Sequence, residues 1–247
     1  MPAPTTVSPA HQLALLELQR TDTELDQARA RMQALRQDPE YQRLRAEADR
    51  LQAEVQTAQQ QLDTARSAQT EAERKVTATR EHLERNQKRM ESGQGSAKDL
   101  QGMQHEIETL QRLVGEQEDS ELETMDAVEQ AEATHATAQQ SQAEAESAAN
   151  ARGQAVKAEA AQVAARGKEL TGTRQQKAAA LPAELVAQYE KIRARNGGIG
   201  AARLVGNRSE ASGMGISPVE LEQIKATPAD RLAYCPDTGA ILVRDAD

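Results

Sequence analysis

The chain has 247 residues with no Phe, no Trp and three Tyr, 28% charged side chains and a formal net charge of −9. That composition excludes an ordinary compact domain filled by large aromatic side chains and suits long helices that bury a narrow seam. The acidic balance argues against a generic DNA binder, whose affinity comes largely from Lys and Arg on phosphate. A single cysteine, Cys235, excludes an internal disulfide framework. No stretch approaches the roughly 18 apolar residues of a membrane span, and the opening MPAPTTVSPA lacks the regions of a secretory signal. The expectation is a cytoplasmic protein with no membrane partner.

Residues 1–7 read as a disordered tail. Ser8 before Pro9 is a helix start, and Asp38-Pro39-Glu40 predicts a break and restart. Beyond it, Val55, Leu62, Val76, Leu83 and Met90 lie on one line of seven-residue steps, with Gln69 in the remaining place. Leu44, Leu51, Ala58, Ala65 and Ala72 form a companion line, and alternating steps of four and three make a coiled-coil seam. Ser92-Gly93-Gln94-Gly95-Ser96 is a turn signal. After it Leu100, Ile107, Val114, Val128, Val156, Val163 and Leu170 repeat at the same period. Folding back at Gly95 would face Met90 with Leu100, Leu83 with Ile107, Val76 with Val114 and Leu62 with Val128. The reading is an antiparallel coiled-coil hairpin over 8–180, turning near 92–97, with arms of roughly 120 Å. Residues 127–180 hold 19 alanines and should be its softer part.

Leu181-Pro182 opens a connecting helix over 181–198 that carries Leu185, Tyr189 and Ile192 and stops at Asn196-Gly197-Gly198. Residues 199–247 change in kind. Short apolar runs at Leu204-Val205 and Ile241-Leu242-Val243 flank Ser217-Pro218-Val219-Glu220, a capping box that marks one short helix. A core is expected from Leu204, Val205, Met214, Ile216, Leu221, Ile224, Leu232, Tyr234, Ile241 and Val243. The fold class is mainly α, with a small C-terminal α+β domain near the lower size limit for folding alone.

Tyr234-Cys235-Pro236-Asp237-Thr238-Gly239-Ala240-Ile241-Leu242-Val243 resembles the closing knuckle of a C4-type zinc ribbon, Cys-Pro-x-Cys-Gly-x-Ile-Leu. Ser209-Glu210-Ala211-Ser212-Gly213-Met214 stands where the first Cys-x-x-Cys would be. Tyr189 to Arg195 before Gly197-Gly198, and Ser96-Ala97-Lys98-Asp99-Leu100 through Leu110, are similar to other parts of the same family. These stretches resemble the bacterial coiled-coil hairpin proteins with a C-terminal zinc ribbon. The resemblance implies a zinc-ribbon-like tail and either nucleic-acid binding or an adaptor or chaperone role toward flagellar, type III secretion or sigma-factor partners. Carried over, the four zinc-ligand positions are Ser209, Ser212, Cys235 and Thr238. One thiol among three hydroxyls cannot hold zinc, so the ribbon is degenerate and no metal or cofactor is expected.

His11, His82, His105 and His135 are dispersed along the helices, and His135 falls on the seam, where a polar residue sets register or is tolerated. Cys235 has no histidine in the tail to act as its base, so a relic of a knuckle is favoured over a nucleophile. Lys191, Arg193, Arg195, Arg203 and Arg208 form one basic cluster. Its bland reading is cations at a helix C-terminus, and its sharper one a phosphate-binding patch. No enzymatic constellation stands out. The sequence therefore reads as a non-enzymatic adaptor, scaffold or chaperone-like protein that binds protein partners. A nucleic-acid binder using the basic cluster is the alternative, and self-association through hairpins is kept open.

Overall fold

The computed structural model describes residues 6–93 and 95–244. Helix α1 (Pro9–Arg36) starts where Ser8 caps it, the Ser8 hydroxyl accepting from the His11 N–H at 3.2 Å. It ends just before Asp38, and α2 (Pro39–Glu91) restarts at the proline, whose missing N–H is harmless in a first turn. Helix α3 (Ala97–Ala179) opens on a reciprocal cap. The Ser96 hydroxyl accepts from the Asp99 N–H at 3.3 Å, and the Asp99 carboxylate accepts from the Ser96 N–H at 3.0 Å. Two compact units result, one of residues Pro39–Gly153 and one of Met1–Asp38 with Gln154–Asp247.

The first unit is a helical hairpin of α2 and the leading part of α3. From Leu44 to Met90, every residue reached by alternating steps of four and three is buried or half-buried, and the same holds from Leu100 to Arg152. The heptad reading of the sequence is thus the burial pattern of the helices. Ion pairs across the seam set their direction. Arg80 meets Glu118 at 2.6 Å, Arg66 meets Glu132 at 2.6 Å and Arg45 meets Glu146 at 3.0 Å. Numbers fall on one helix as they rise on the other, so the pair is antiparallel.

In the second unit α1 packs along the end of α3 and carries the tail. Helix α4 (Ala183–Arg195) ends in a reversal in which the Gly198 N–H donates to the Arg193 carbonyl at 3.1 Å. Strands β1 (Ala201–Val205) and β2 (Arg208–Ser209), helix α5 (Pro218–Ala226), and strands β3 (Ala233–Tyr234) and β4 (Ile241–Arg244) follow. The sheet order is β2-β1-β4-β3, with β1 parallel to β4 and the two edge pairs antiparallel. The guanidinium of Arg244 ties the sheet to the end of α5 by donating to the carbonyls of Ile224, Thr227, Pro228 and Arg231.

One core joins Leu15 and Leu18 of α1, Leu185 and Tyr189 of α4, and Ile241 and Leu242 of β4. The tail therefore belongs with α1 and α4 rather than standing apart, because its buried strand residues share one cluster with theirs. Three expected core residues are corrected. Val205 (51% exposed), Met214 and Tyr234 face solvent; alternation turns Val205 outward on β1 while Leu204 is buried, and Tyr234 outward on β3 while Ala233 is buried. The disordered tail expected over 1–7 is also corrected at its end. Val7 is buried and donates its N–H to the Asp230 carbonyl at 2.7 Å, while residues 1–5 lie outside the described residues.

Candidate functional site

The first concentration of polar groups is the base of the second unit, where α1, the end of α3 and α4 meet. Asp22 on α1 is 1% exposed, and a buried carboxylate is tolerable only when paired and hydrogen-bonded. Arg174 of α3 donates to it from Nε at 2.6 Å, the Tyr189 hydroxyl donates at 2.8 Å, and Arg193 stands 3.7 Å away. Arg174 also pairs with Glu190, and Arg193 with Asp26. Burial, with the Asp22 carboxylate beside it, pushes the Tyr189 phenol far above its ordinary range.

One helical turn before Asp22, Gln19 reads the tail's backbone. Its side-chain oxygen accepts from the Gly200 N–H at 2.7 Å and the Ala201 N–H at 3.2 Å, and its amide nitrogen donates to the Gly198 carbonyl at 2.9 Å. Gln12 acts likewise, donating to the carbonyls of Val7 and Ala229. Gly200 permits the crossing, because a Cβ there would meet the Tyr189 ring at 2.5 Å and the Tyr189 carbonyl oxygen at 2.9 Å. A shallow groove of about 380 Å³ lies between α1 and β1, with Glu17, Arg20, Arg203 and Glu210 in its lining.

The second concentration is a pair of matching turns in the tail. In one, the Ser209 carbonyl accepts from the Gly213 N–H at 2.8 Å and the Ser209 N–H donates to the Met214 carbonyl at 3.1 Å. In the other, the Cys235 carbonyl accepts from Gly239 at 2.8 Å and the Cys235 N–H donates to the Ala240 carbonyl at 2.8 Å. Gly213 and Gly239 take φ of 68° and 70°, a region that favours glycine. Inside the turns the Ser212 hydroxyl accepts from the Met214 N–H and the Thr238 hydroxyl from the Ala240 N–H.

These turns bring the four resemblance-derived positions together around the buried Cys235 thiol, which contacts the Ser212 hydroxyl at 3.9 Å. Burial opposes its ionisation, but hydrogen bonds from the Ser209 and Thr238 hydroxyls and the Thr238 and Asp237 N–H groups outweigh burial and hold it below the ordinary thiol range. The donor set does not fit zinc. Structural zinc takes four thiolate or imidazole ligands, and here the hydroxyls of Ser209, Ser212 and Thr238 are engaged in hydrogen bonds with backbone N–H groups or the thiol.

The basic cluster divides. Arg193 is spent inside the base on Asp22 and Asp26, its side chain 16% exposed. Lys191 and Arg195 are exposed on α4, while Arg203 and Arg208 are exposed on the outward face of β1 and β2. Sequence reasoning did not find Gln19, Asp22 or Arg174. The one available signal was two polar groups, Gln19 and Asp22, on α1 positions otherwise framed by Leu15, Leu18 and Leu25.

Residues 18–197 match the family described as CT398-like coiled coil hairpin domain. A solved structure from Mycobacterium smegmatis is similar over 97% of this chain and 100% of that one, at a TM-score of 0.81 and 27% identity. CT398 from Chlamydia trachomatis is similar over 96% and 98% of the two chains, with a TM-score of 0.65 and 13% identity, a likeness of fold alone. The HP0958 protein from Helicobacter pylori has a TM-score of 0.51 and 14% identity over 98% and 100% of the two chains. Rv2229c of Mycobacterium tuberculosis is 47% identical over 66 residues, 27% of this chain and 26% of that protein, so the chain spans about a quarter of that curated relative.

Proposed function

Because the chain belongs to the CT398-like coiled coil hairpin family, we propose that it is a non-enzymatic adaptor or scaffold that holds protein partners on its helices. One observation carries this reading. The buried charges of the base spend their hydrogen bonds on one another, and Gln19 and Gln12 spend theirs on the tail's backbone. The polar chemistry there fixes the tail against α1 and leaves the outer helix faces as recognition surface. Purification of the tagged full-length chain from its native cytoplasm should bring down a defined protein at constant ratio. Recovery of nucleic acid alone would reject the reading.

In the same proposal the tail is a zinc ribbon by descent whose two knuckles persist without the ion. The matched turns at Ser209–Met214 and Cys235–Ala240 support it, since each keeps the hydrogen bonds and the glycine of the other.

A second reading, nucleic-acid binding, is favoured by the exposure of Lys191, Arg195, Arg203 and Arg208. It is tested on short DNA and RNA across a salt series, comparing the native chain with Arg195→Ala plus Arg208→Ala. Arg193 is left intact, since removing it would strip a partner from the buried Asp22 and from Asp26. Affinity that falls steeply with salt and flattens in the variant supports nucleic-acid binding. Weak binding unchanged by the variant rejects it.

A further inference from the structure

Acidic charge is concentrated in one stretch of α3. Between Arg112 and Arg152 the sequence holds ten Asp and Glu and no Lys or Arg. Glu118, Glu132 and Glu146 are neutralised across the seam by Arg80, Arg66 and Arg45, and Glu116 pairs with Arg112 on its own helix. Asp119, Glu121, Glu123, Asp126 and Glu129 have no ion pair among the described residues. Five carboxylates thus sit within about three helical turns.

The same place interrupts the row of bridges. Met125 occupies the position midway between Glu118 and Glu132, and the residue midway between Arg66 and Arg80 is Glu73. No cross-seam ion pair can form there. Met125 instead faces solvent at 47% exposure, and Leu122 at 59%. Residues three apart are neighbours on a helix surface, so the two make one apolar shelf. Asp119, Asp126 and Glu129 flank it at helical spacings of three and four.

We propose that the Leu122–Met125 shelf docks a basic amphipathic helical segment of a protein partner. This deepens, and rests on, the adaptor reading. Two apolar anchors at a spacing of three fit the apolar face of a helix laid alongside α3, and the surrounding carboxylates fit Lys and Arg on its flanks. The same charge disfavours a nucleic acid or an anionic lipid surface, whose phosphates would lie against the three flanking carboxylates.

The probe is a fluorescent synthetic helix with Leu at positions three and four apart on one face and Lys on both flanks. Its control is a scrambled peptide of identical composition. Both are titrated into the full-length chain by anisotropy, and into Leu122→Ser plus Met125→Ser and Asp126→Lys plus Glu129→Lys variants. All four substitutions lie on the exposed side, so unchanged circular dichroism melting verifies the fold.

The amphipathic helix should bind at least about tenfold more tightly than the scrambled peptide, and each double variant should lose about tenfold or more. Equal binding of the two peptides, or undiminished affinity in either variant, overturns the proposal. Binding of single-stranded RNA or phosphatidylserine vesicles that depends on Leu122 and Met125 overturns it too. Retention of a cytoplasmic protein partner by a chain that ignores the peptide rejects the shelf while leaving the adaptor reading standing. Failure of the native chain to retain any protein rejects the adaptor reading itself.

Discussion

Asp22 and Tyr189 show how much one buried oxygen can depend on. The phenol donates to a carboxylate that is itself held by Arg174, and hydrogen bonds to charged groups contribute about 1.5–3 kcal/mol. Tyr189→Phe should therefore lower stability by about 2 kcal/mol at neutral pH, measured by chemical denaturation. The pH dependence has a definite sign. Folding raises the phenol's pKa, so its contribution is complete below the unfolded value of about 10 and declines as pH rises beyond it. The gap between native chain and Tyr189→Phe should narrow above that point. A gap constant to higher pH would show that the hydroxyl is not the group at work. None of this was legible beforehand. Asp22 and Tyr189 stand 167 positions apart, and no local period marks a residue whose partner is that distant. Sequence grouped Arg193 with other cations, at a helix C-terminus or in a phosphate-binding patch, for the same reason, because its charge is visible in the sequence and its two carboxylate partners are not.

The helices were readable because their signal is local. Steps of four and three, a proline after Asp38 and a Gly-bearing turn each act within a few residues, and the burial of both arms follows them. What period alone does not reveal is the quality of each layer. Asn86 is 5% exposed on the seam, and its amide nitrogen has no hydrogen-bond partner. A buried unsatisfied group costs about 1–3 kcal/mol, so Asn86→Leu should raise stability by an amount of that order. Unchanged or lowered stability would mean the amide finds a partner in solution. Glycines in α3 make a matched comparison. Gly115 has nothing within 4 Å of an added Cβ, whereas at Gly153 a Cβ would meet the Tyr41 ring at 3.0 Å. Alanine at a helix interior is worth about 1 kcal/mol over glycine. Gly115→Ala should show that gain in a thermal melt, and Gly153→Ala should forfeit it to displacement of the ring.

The division of the molecule follows packing rather than sequence character. A reader of composition separates helical hairpin from tail, yet the tail shares its core with α1 and α4 through Leu15, Leu18, Leu185 and Tyr189. This sharing explains how about 50 residues of mixed structure, near the limit for independent folding, hold together. Zinc-ribbon domains draw folding free energy from the ion, because a preformed site rarely exists in the unfolded chain. Here the four positions that the resemblance assigns to zinc ligands hold one thiol and three hydroxyls, already engaged in hydrogen bonds, and on the proposed zinc-ribbon descent the apolar contacts of β4 and α5 with the helices would take the ion's place. The purified protein should accordingly contain no stoichiometric zinc by elemental analysis. A strong chelator should leave its thermal transition unmoved. Leu18→Ala on α1 should do what chelation does not and loosen residues 200–244, seen as faster amide exchange there, with a cost of about 2–5 kcal/mol expected for a buried leucine. Tightly held zinc, or a tail that unfolds on chelation yet tolerates Leu18→Ala, would return the metal to the centre of this domain.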